Sequence, residues 1–299
     1  MDQPQSMLPR PSISPSEVKE RTALRASLLQ ELSRELRKLD PVPSFDGPGY
    51  MRGHVAFEGA SDQQGQILAW LIDYLKSQPG PRLEAASVGA GSGILDVPML
   101  ESVCAHKQVH YTVFEPFEAQ CERFQERAAA LCASSALELL IECKSLEQVE
   151  PGRAFDVVLA IHSIYSFQGL EEAVERLLRI TRPGGELVIA VAPLEQMNQL
   201  SELFWQSHHD GALGFEEQVG RALSNLGVAH TNQRIDACLE VAMDDPGRSD
   251  IVDFLTQCPL GQCPEQIQQL VLRYLEATGD SDPSQLRVPH PVHMLRVRK

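Results

Sequence analysis

The chain of 299 residues is 43% hydrophobic and 22% charged, the composition of a globular protein with one large core, or a core and an added cap. Its net charge of −15 leaves no basic face for a phosphate backbone, which argues against a nucleic-acid partner and mildly favours cationic over anionic substrates. Seven scattered cysteines without a C-x-x-C pair favour neither a disulfide framework nor a zinc site, and reduced thiols in the cytoplasm are the simplest expectation.

The opening MDQPQSMLPRPSISPSE has no apolar h-region, and no apolar run approaches the ~18 residues of a span, so neither a signal peptide nor a membrane segment is expected. Residues 1–13, rich in Pro, Ser and Gln, predict disorder. Ser14-Pro15-Ser16-Glu17 reads as a capping box, and Leu24, Leu28, Leu32, Leu36 and Leu39 at near-helical spacing predict an amphipathic helix over 15–39, either a lid or simple packing. Pro41 and Pro43 stop it, and the Pro/Gly-rich stretch 41–60 predicts a loop. Ser61-Asp62-Gln63-Gln64 opens a second helix, with Ile67, Leu68, Leu71, Ile72 and Leu75 apolar.

The stretch from Leu83 to Leu100 organises the chain. A short apolar run ending at Ala86-Ser87-Val88 enters Gly89-Ala90-Gly91-Ser92-Gly93 and then Ile94, Leu95, Val97 and Leu100, the order strand, glycine turn, helix. The dinucleotide pattern G-x-G-x-x-G fails because its third glycine would fall at Ile94, and no lysine is present for a phosphate loop. G-x-G-x-G is the pattern found where S-adenosylmethionine crosses the first strand of a sheet; the alternative is a plain glycine turn. The next strand, 109–114, ends in Glu115 about twenty residues beyond the loop, where a carboxylate accepts hydrogen bonds from two ribose hydroxyls. The alternative for Glu115 is a solvated strand end.

The chain then predicts helix 117–133, strand 137–141, a buried strand from Phe155 to Ile161, helix 170–180 and a buried strand from Glu186 to Val191. Such alternation means a doubly wound α/β sheet. Residues 195–232 read as polar helices, 235–243 as a strand, 250–257 and 264–277 as helices, and 292–297 as a final antiparallel strand on the sheet edge. The expected divisions are a disordered 1–13, an N-terminal helical segment or lid over 14–82, a cofactor core over 83–194, and over 195–299 a helical cap with final strands completing the same sheet.

On these residues the chain resembles the class I S-adenosylmethionine-dependent methyltransferases, and within them the histamine N-methyltransferase branch. The resemblance covers about four-fifths of the chain, from Ser61 onward. It lies in Ser87-Val88-Gly89-Ala90-Gly91-Ser92-Gly93, with Ser87 in place of the usual acidic residue, in Glu115-Pro116 with Gln120, in Phe155-Asp156 through Tyr165, and in Asp253-Phe254-Leu255-Thr256. It implies a mostly parallel seven-stranded, Rossmann-like sheet with N-terminal helices and a helical insertion as cap. For the cofactor it implies Gly89 and Gly91 beside the methionine moiety, Glu115 on the ribose, Gln120 on the adenosyl half, Ser145 or Leu146 near the adenine, and Ile161 touching the ligand.

For the acceptor it implies Asp62 as the acidic residue near the second helix, with His162 where the branch has Gln and His290 as the nearest candidate where it has Asn. Two of three positions depart, so fold and cofactor carry over and histamine as substrate does not. Each residue has a bland alternative: Asp62 a helix cap, His162 a satisfied buried histidine, His290 a surface loop residue, Tyr165 core packing. In the functional reading His162 and Tyr165 are catalytic, and Asp62 and His290 bind substrate, with Asp62 pairing a cationic tail.

The expected activity is methyl transfer from S-adenosylmethionine, with no metal, to a small molecule, an amine or imidazole nitrogen. The alternatives are O-methylation of a phenol or carboxylate, and a non-catalytic interaction protein. A monomer or weak dimer without nucleic-acid or membrane partners is expected.

Overall fold

In this computed structural model the described residues are 14–299 without 40, 45, 46, 150, 151, 168, 210–212, 243 and 280–283. The expected disorder of 1–13 and the last position of the strand expected over 235–243 lie outside them. Seven strands form the main sheet: β1 (Arg82–Val88), β2 (Gln108–Phe114), β3 (Leu137–Glu142), β4 (Phe155–Ile161), β5 (Thr181–Val191), β6 (His230–Ile235) and, last in the chain, β9 (Val292–Arg298). Their order is β3-β2-β1-β4-β5-β9-β6. The pairs among β1 to β5 are parallel, and β9 runs antiparallel to both β5 and β6.

Burial explains why these segments are strands. Side chains alternate across the sheet, so Val157 and Leu159 join one apolar layer while Val158 and Ala160 join the other. Because both faces are covered, the central strands read as continuous apolar runs. Helices α3 (Gln63–Ser77), α4 (Asp96–Cys104) and α5 (Glu118–Ala128) cover the first face through Ile67, Leu71, Leu100 and Phe124. Helices α6 (Leu170–Ile180) and α8 (Glu216–Asn225) cover the second through Val174, Leu177, Val219 and Leu223. Each such side chain contributes ~1.5–3 kcal/mol on burial.

A third apolar cluster lies apart from both faces. It joins α1 (Pro15–Leu36), α7 (Met197–His208), α9 (Arg248–Thr256) and α10 (Glu265–Thr278) to a ribbon of β7 (Cys238–Ala242) and β8 (Gln285–Pro289). None of these helices is long and apolar enough to cross a membrane. All seven cysteines carry free thiols, with Cys258 and Cys263 Sγ 3.4 Å apart.

Four expectations need correction. Residues 47–59 are not loop but helix α2 (Gly47–Gly59). A Cβ on Gly53 would lie 2.7 Å from the Asp250 carbonyl oxygen and 2.9 Å from Phe254 Cβ, so this glycine lets α2 lie close against α9. The segment 195–232 is not helical to its end, because it closes with β6 from His230. The strand expected over 235–243 is two strands: β6 ends at Ile235 in the main sheet, and β7 starts at Cys238 in the ribbon. β6 is the polar, exposed edge, which is why apolar patterning misses it, and it places β9 inside the sheet rather than on its rim.

The order also fixes where a ligand sits. After β1 the chain winds outward to β3, then returns to lay β4 on the other side of β1. The crevice at that reversal opens at the carboxyl ends of β1 and β4, after Val88 and Ile161.

Candidate functional site

Three glycines in the left-handed region shape the turn after β1: Gly89 (φ +69°), Gly91 (φ +56°) and Gly93 (φ +73°). Their surroundings divide the work. A Cβ on Gly93 would lie 2.6 Å from the Phe124 ring, and one on Gly89 2.5 Å from Ser163 Cβ, so these two serve close packing, Gly89 on the segment after β4. At Gly91 a Cβ would meet no atom within 4 Å; the loop there borders open space.

Glu115, only 4% exposed, holds this loop. Its Oε2 accepts from the Gly91 amide at 2.9 Å and its Oε1 from the Phe117 amide at 3.1 Å. Each oxygen keeps a lone pair for a further donor, as two ribose hydroxyls would supply. Phe117 beside it is 69% exposed, an aromatic ring that motif matching alone does not pick out. Its visible signal is a large ring directly after Glu115-Pro116 and before α5.

On the β4 side, His162 adopts φ +51°, uncommon for a residue with a Cβ and a strain that functional sites often hold. Its amide donates to the Ala190 carbonyl at 3.0 Å. Its ring stacks on Tyr165 with centroids 6.1 Å apart, and Nδ1 lies 3.3 Å from Tyr165 Oη, which accepts from the Ala192 amide at 2.7 Å. Burial pushes the His162 pKa down to about 4 and raises the Tyr165 phenol. His162 Nε2 and Ser163 Oγ are buried without a hydrogen-bond partner among the described residues.

His290 is not a surface residue: it is 7% exposed. Its Nδ1 lies 2.7 Å from Ser61 Oγ, and its ring meets Phe57 of α2 edge-on at 4.9 Å. Burial, and then the charge of the nearby His162, push its pKa down to about 3. Phe57 continues into an aromatic row, with Tyr50, His54 and Phe57 of α2 against Phe254 of α9 at 5.0–5.4 Å. This row stays hidden in the sequence as long as 41–60 reads as loop. The one signal is the spacing of Tyr50, His54 and Phe57 by helical steps.

The structure thus brings Gly89, Gly91, Glu115, Ile161, His162 and Tyr165 to one crevice, with His290 electrostatically close to His162. Ile161, partly buried, ends β4. Gln120 lies half-buried in the first turn of α5. Ser145 caps a short 3-10 turn, Leu146–Gln148, and Leu146 is in the core, so of that pair only Ser145 offers a surface atom. Asp62 stands directly before α3, the expected second helix. It is exposed, its Oδ1 accepts from the Cys238 amide at 2.7 Å and its Oδ2 from Gln66 at 3.0 Å, anchoring β7 to the start of α3. Among the described residues no cluster of three or more metal-ligating side chains occurs.

Comparison with known proteins accords with this geometry. Residues 86–187 match the family model described as a methyltransferase domain. A highly reducing polyketide synthase (tazB) of Aspergillus terreus is 30% identical over 135 residues, 42% of this chain and 5% of its own. The fusarielin synthase FSL1 of Gibberella zeae is 27% identical over 112 residues, 36% of this chain and 4% of its own. The chain therefore spans about one-twentieth of the length of the curated relatives it matches.

Among solved structures, a putative methyltransferase from Bacillus halodurans is similar at TM-score 0.52 and 14% identity, covering 78% of this chain and 98% of that one. The YcgJ protein of Bacillus subtilis gives TM-score 0.51 and 14% identity over 78% and 97%. These two establish the class I, Rossmann-like methyltransferase fold. The matched domain spans the crevice, from β1 into β5, so S-adenosylmethionine is the molecule against which its residues are compared. The crevice fits that molecule: the open cradle at Gly91 leaves it room, and Glu115 and Ser163 have hydrogen-bonding capacity to spare.

Proposed function

We propose that the protein methylates a small molecule at a ring nitrogen of imidazole type, and that the acceptor enters the site uncharged. The observation that carries this is His162 Nε2: it is buried, unpartnered among the described residues, and placed beside the loop at Gly89 through Ser163. Burial holds His162 and His290 neutral at pH 7. A cationic acceptor would meet the same desolvation without a counter-charge, because Asp62 is exposed and already engaged. An alkyl ammonium, with a pKa near 10, is disfavoured on that ground; an imidazole is mostly neutral at pH 7.

S-adenosylmethionine supplies an electrophilic methyl group when bound. Gly91 and Glu115 hold it at the end of β1, and Ser163 closes the β4 side. In the tautomer that carries its proton on Nδ1, toward Tyr165 Oη, His162 Nε2 is an acceptor, which would take a hydrogen bond from the acceptor's N–H and leave the other ring nitrogen's lone pair free for the methyl. Alignment of this kind contributes up to ~7–11 kcal/mol of an in-line displacement. The row from Tyr50 to Phe254 packs α2 on α9 and reaches His290 through Phe57, and a cap of such rings suits planar acceptors.

Free thiols suit a cytoplasmic setting, and the charge of −15 suits action without nucleic acid. The test is methyl transfer to 4-methylimidazole, an alkylamine, a phenol and a β-keto ester, the last because the curated relatives are polyketide synthases. Transfer to the imidazole alone supports the reading; transfer only to phenol or keto ester overturns it.

A further inference from the structure

Tyr165 also lines a cavity that the methyl-transfer geometry does not use. Its volume is about 260 Å³, below the ~300–1,000 Å³ of pockets that enclose a whole drug-sized ligand. At roughly 30 Å³ per small group it has room for an arm of about eight heavy atoms. Ile164, Phe167, Leu170 and Leu213 give it apolar walls, Tyr165, which stacks on His162, lines it as well, and Gln218 of α8 supplies a polar tip. The amide oxygen of Gln218 is buried and has no hydrogen-bond partner among the described residues. Such an oxygen in an apolar wall costs stability until a donor reaches it.

We infer that this cavity receives an apolar arm of the acceptor, about six carbons long and ending in an O–H or N–H that donates to Gln218 Oε1. The inference rests on the acceptor reading above and adds the substrate class to it: an imidazole carrying a hydroxyalkyl or amidoalkyl side arm rather than a bare ring. Tyr165 connects the two halves, because its ring stacks on His162 and also lines the cavity. An acceptor ring held at His162 therefore has its substituent directed along Tyr165 toward Gln218.

The test uses the full chain with 4-methylimidazole, with 4-(ω-hydroxyalkyl)imidazoles of two, four and six carbons and their methyl-tipped counterparts, and with hexan-1-ol. Binding is read by calorimetry in saturating S-adenosylhomocysteine, and transfer by KM. Binding tightens with arm length, by up to about fourfold per methylene. Leu170→Trp fills the cavity and removes the length dependence, leaving S-adenosylhomocysteine affinity and 4-methylimidazole transfer unchanged. Gln218→Leu removes the preference for a hydroxyl over a methyl tip. Affinity and KM independent of arm length, or a length dependence that survives Leu170→Trp, overturn the inference. If no imidazole is methylated, the acceptor reading alone fails. Hexan-1-ol binding that Leu170→Trp abolishes then still upholds the cavity as an apolar site, and absence of that binding overturns it.

Discussion

Tyr111 Oη donates to Asp96 Oδ1 at 2.6 Å, in a fully buried pair that ties the middle of β2 to the first turn of α4. The turn between β1 and α4 carries Gly91, so this bond fixes the helix that follows that loop. Burial, more than any neighbour, pushes the Asp96 carboxyl pKa up, while the Tyr111 and Ser87 hydroxyls oppose that shift. Tyr111→Phe leaves a buried carboxyl one donor short and is expected to cost ~1–3 kcal/mol in urea unfolding. Asp96→Asn, which keeps an acceptor oxygen, is expected to cost less than Asp96→Ala. Equal losses for the two would contradict this account.

The glycines separate stability from binding. Gly93→Ala presses on the Phe124 ring and Gly89→Ala on Ser163, and both are expected to lower the unfolding free energy by ~1–3 kcal/mol. Gly91→Val has free space but a left-handed backbone, so its folding penalty is ~1–2 kcal/mol, while its side chain occupies the cradle. Calorimetry should record at least a tenfold loss of S-adenosylhomocysteine affinity in Gly91→Val.

Glu115→Ala removes the acceptor that fixes Gly91 and the one proposed for the ribose. Each charge-assisted hydrogen bond lost is worth ~1.5–3 kcal/mol of cofactor affinity. Unchanged binding of S-adenosylhomocysteine would remove Glu115 from the site.

His162→Ala is expected to lower methyl transfer at least tenfold while S-adenosylmethionine affinity stays within ~1 kcal/mol, since only the acceptor loses a partner. Asp62→Asn, by contrast, should leave the acceptor's KM unchanged and lower stability, because its carboxylate anchors β7. Kinetics run beside thermal melts separate the two outcomes. Wild-type turnover in folded His162→Ala would sink the acceptor assignment.

Two buried imidazoles also predict the acid limb of stability. The folded pKa values of His162 and His290, about 4 and about 3, lie below the ordinary value of 6.5, so the unfolded chain binds their protons first. Their contribution is therefore full above pH 6.5 and declines as pH falls toward 4 for His162 and 3 for His290. Urea midpoints measured from pH 8 to 4 should fall less steeply in His162→Gln/His290→Gln than in wild type. Parallel curves would show that neither ring is held neutral by the fold.

Local chemistry made much of this protein legible in its sequence. The apolar runs 155–161 and 186–191, the glycine turn and Glu115 state a parallel sheet with a ligand loop at its first strand, because strand burial and glycine dihedrals leave their mark within a few residues. What tertiary structure alone decided is long-range. Gly53 reads as a loop former until Phe254 approaches it, and a polar edge strand such as β6 carries no apolar signature until β9 pairs with it. His290 looks like a loop residue between prolines until Ser61 and Phe57, more than two hundred positions away in the chain, enclose it. Asp62 and His162 are equally polar in sequence. Packing leaves one outside, anchoring β7, and sets the other inside with its Nε2 unpartnered among the described residues, because only the folded chain decides which polar group loses its water.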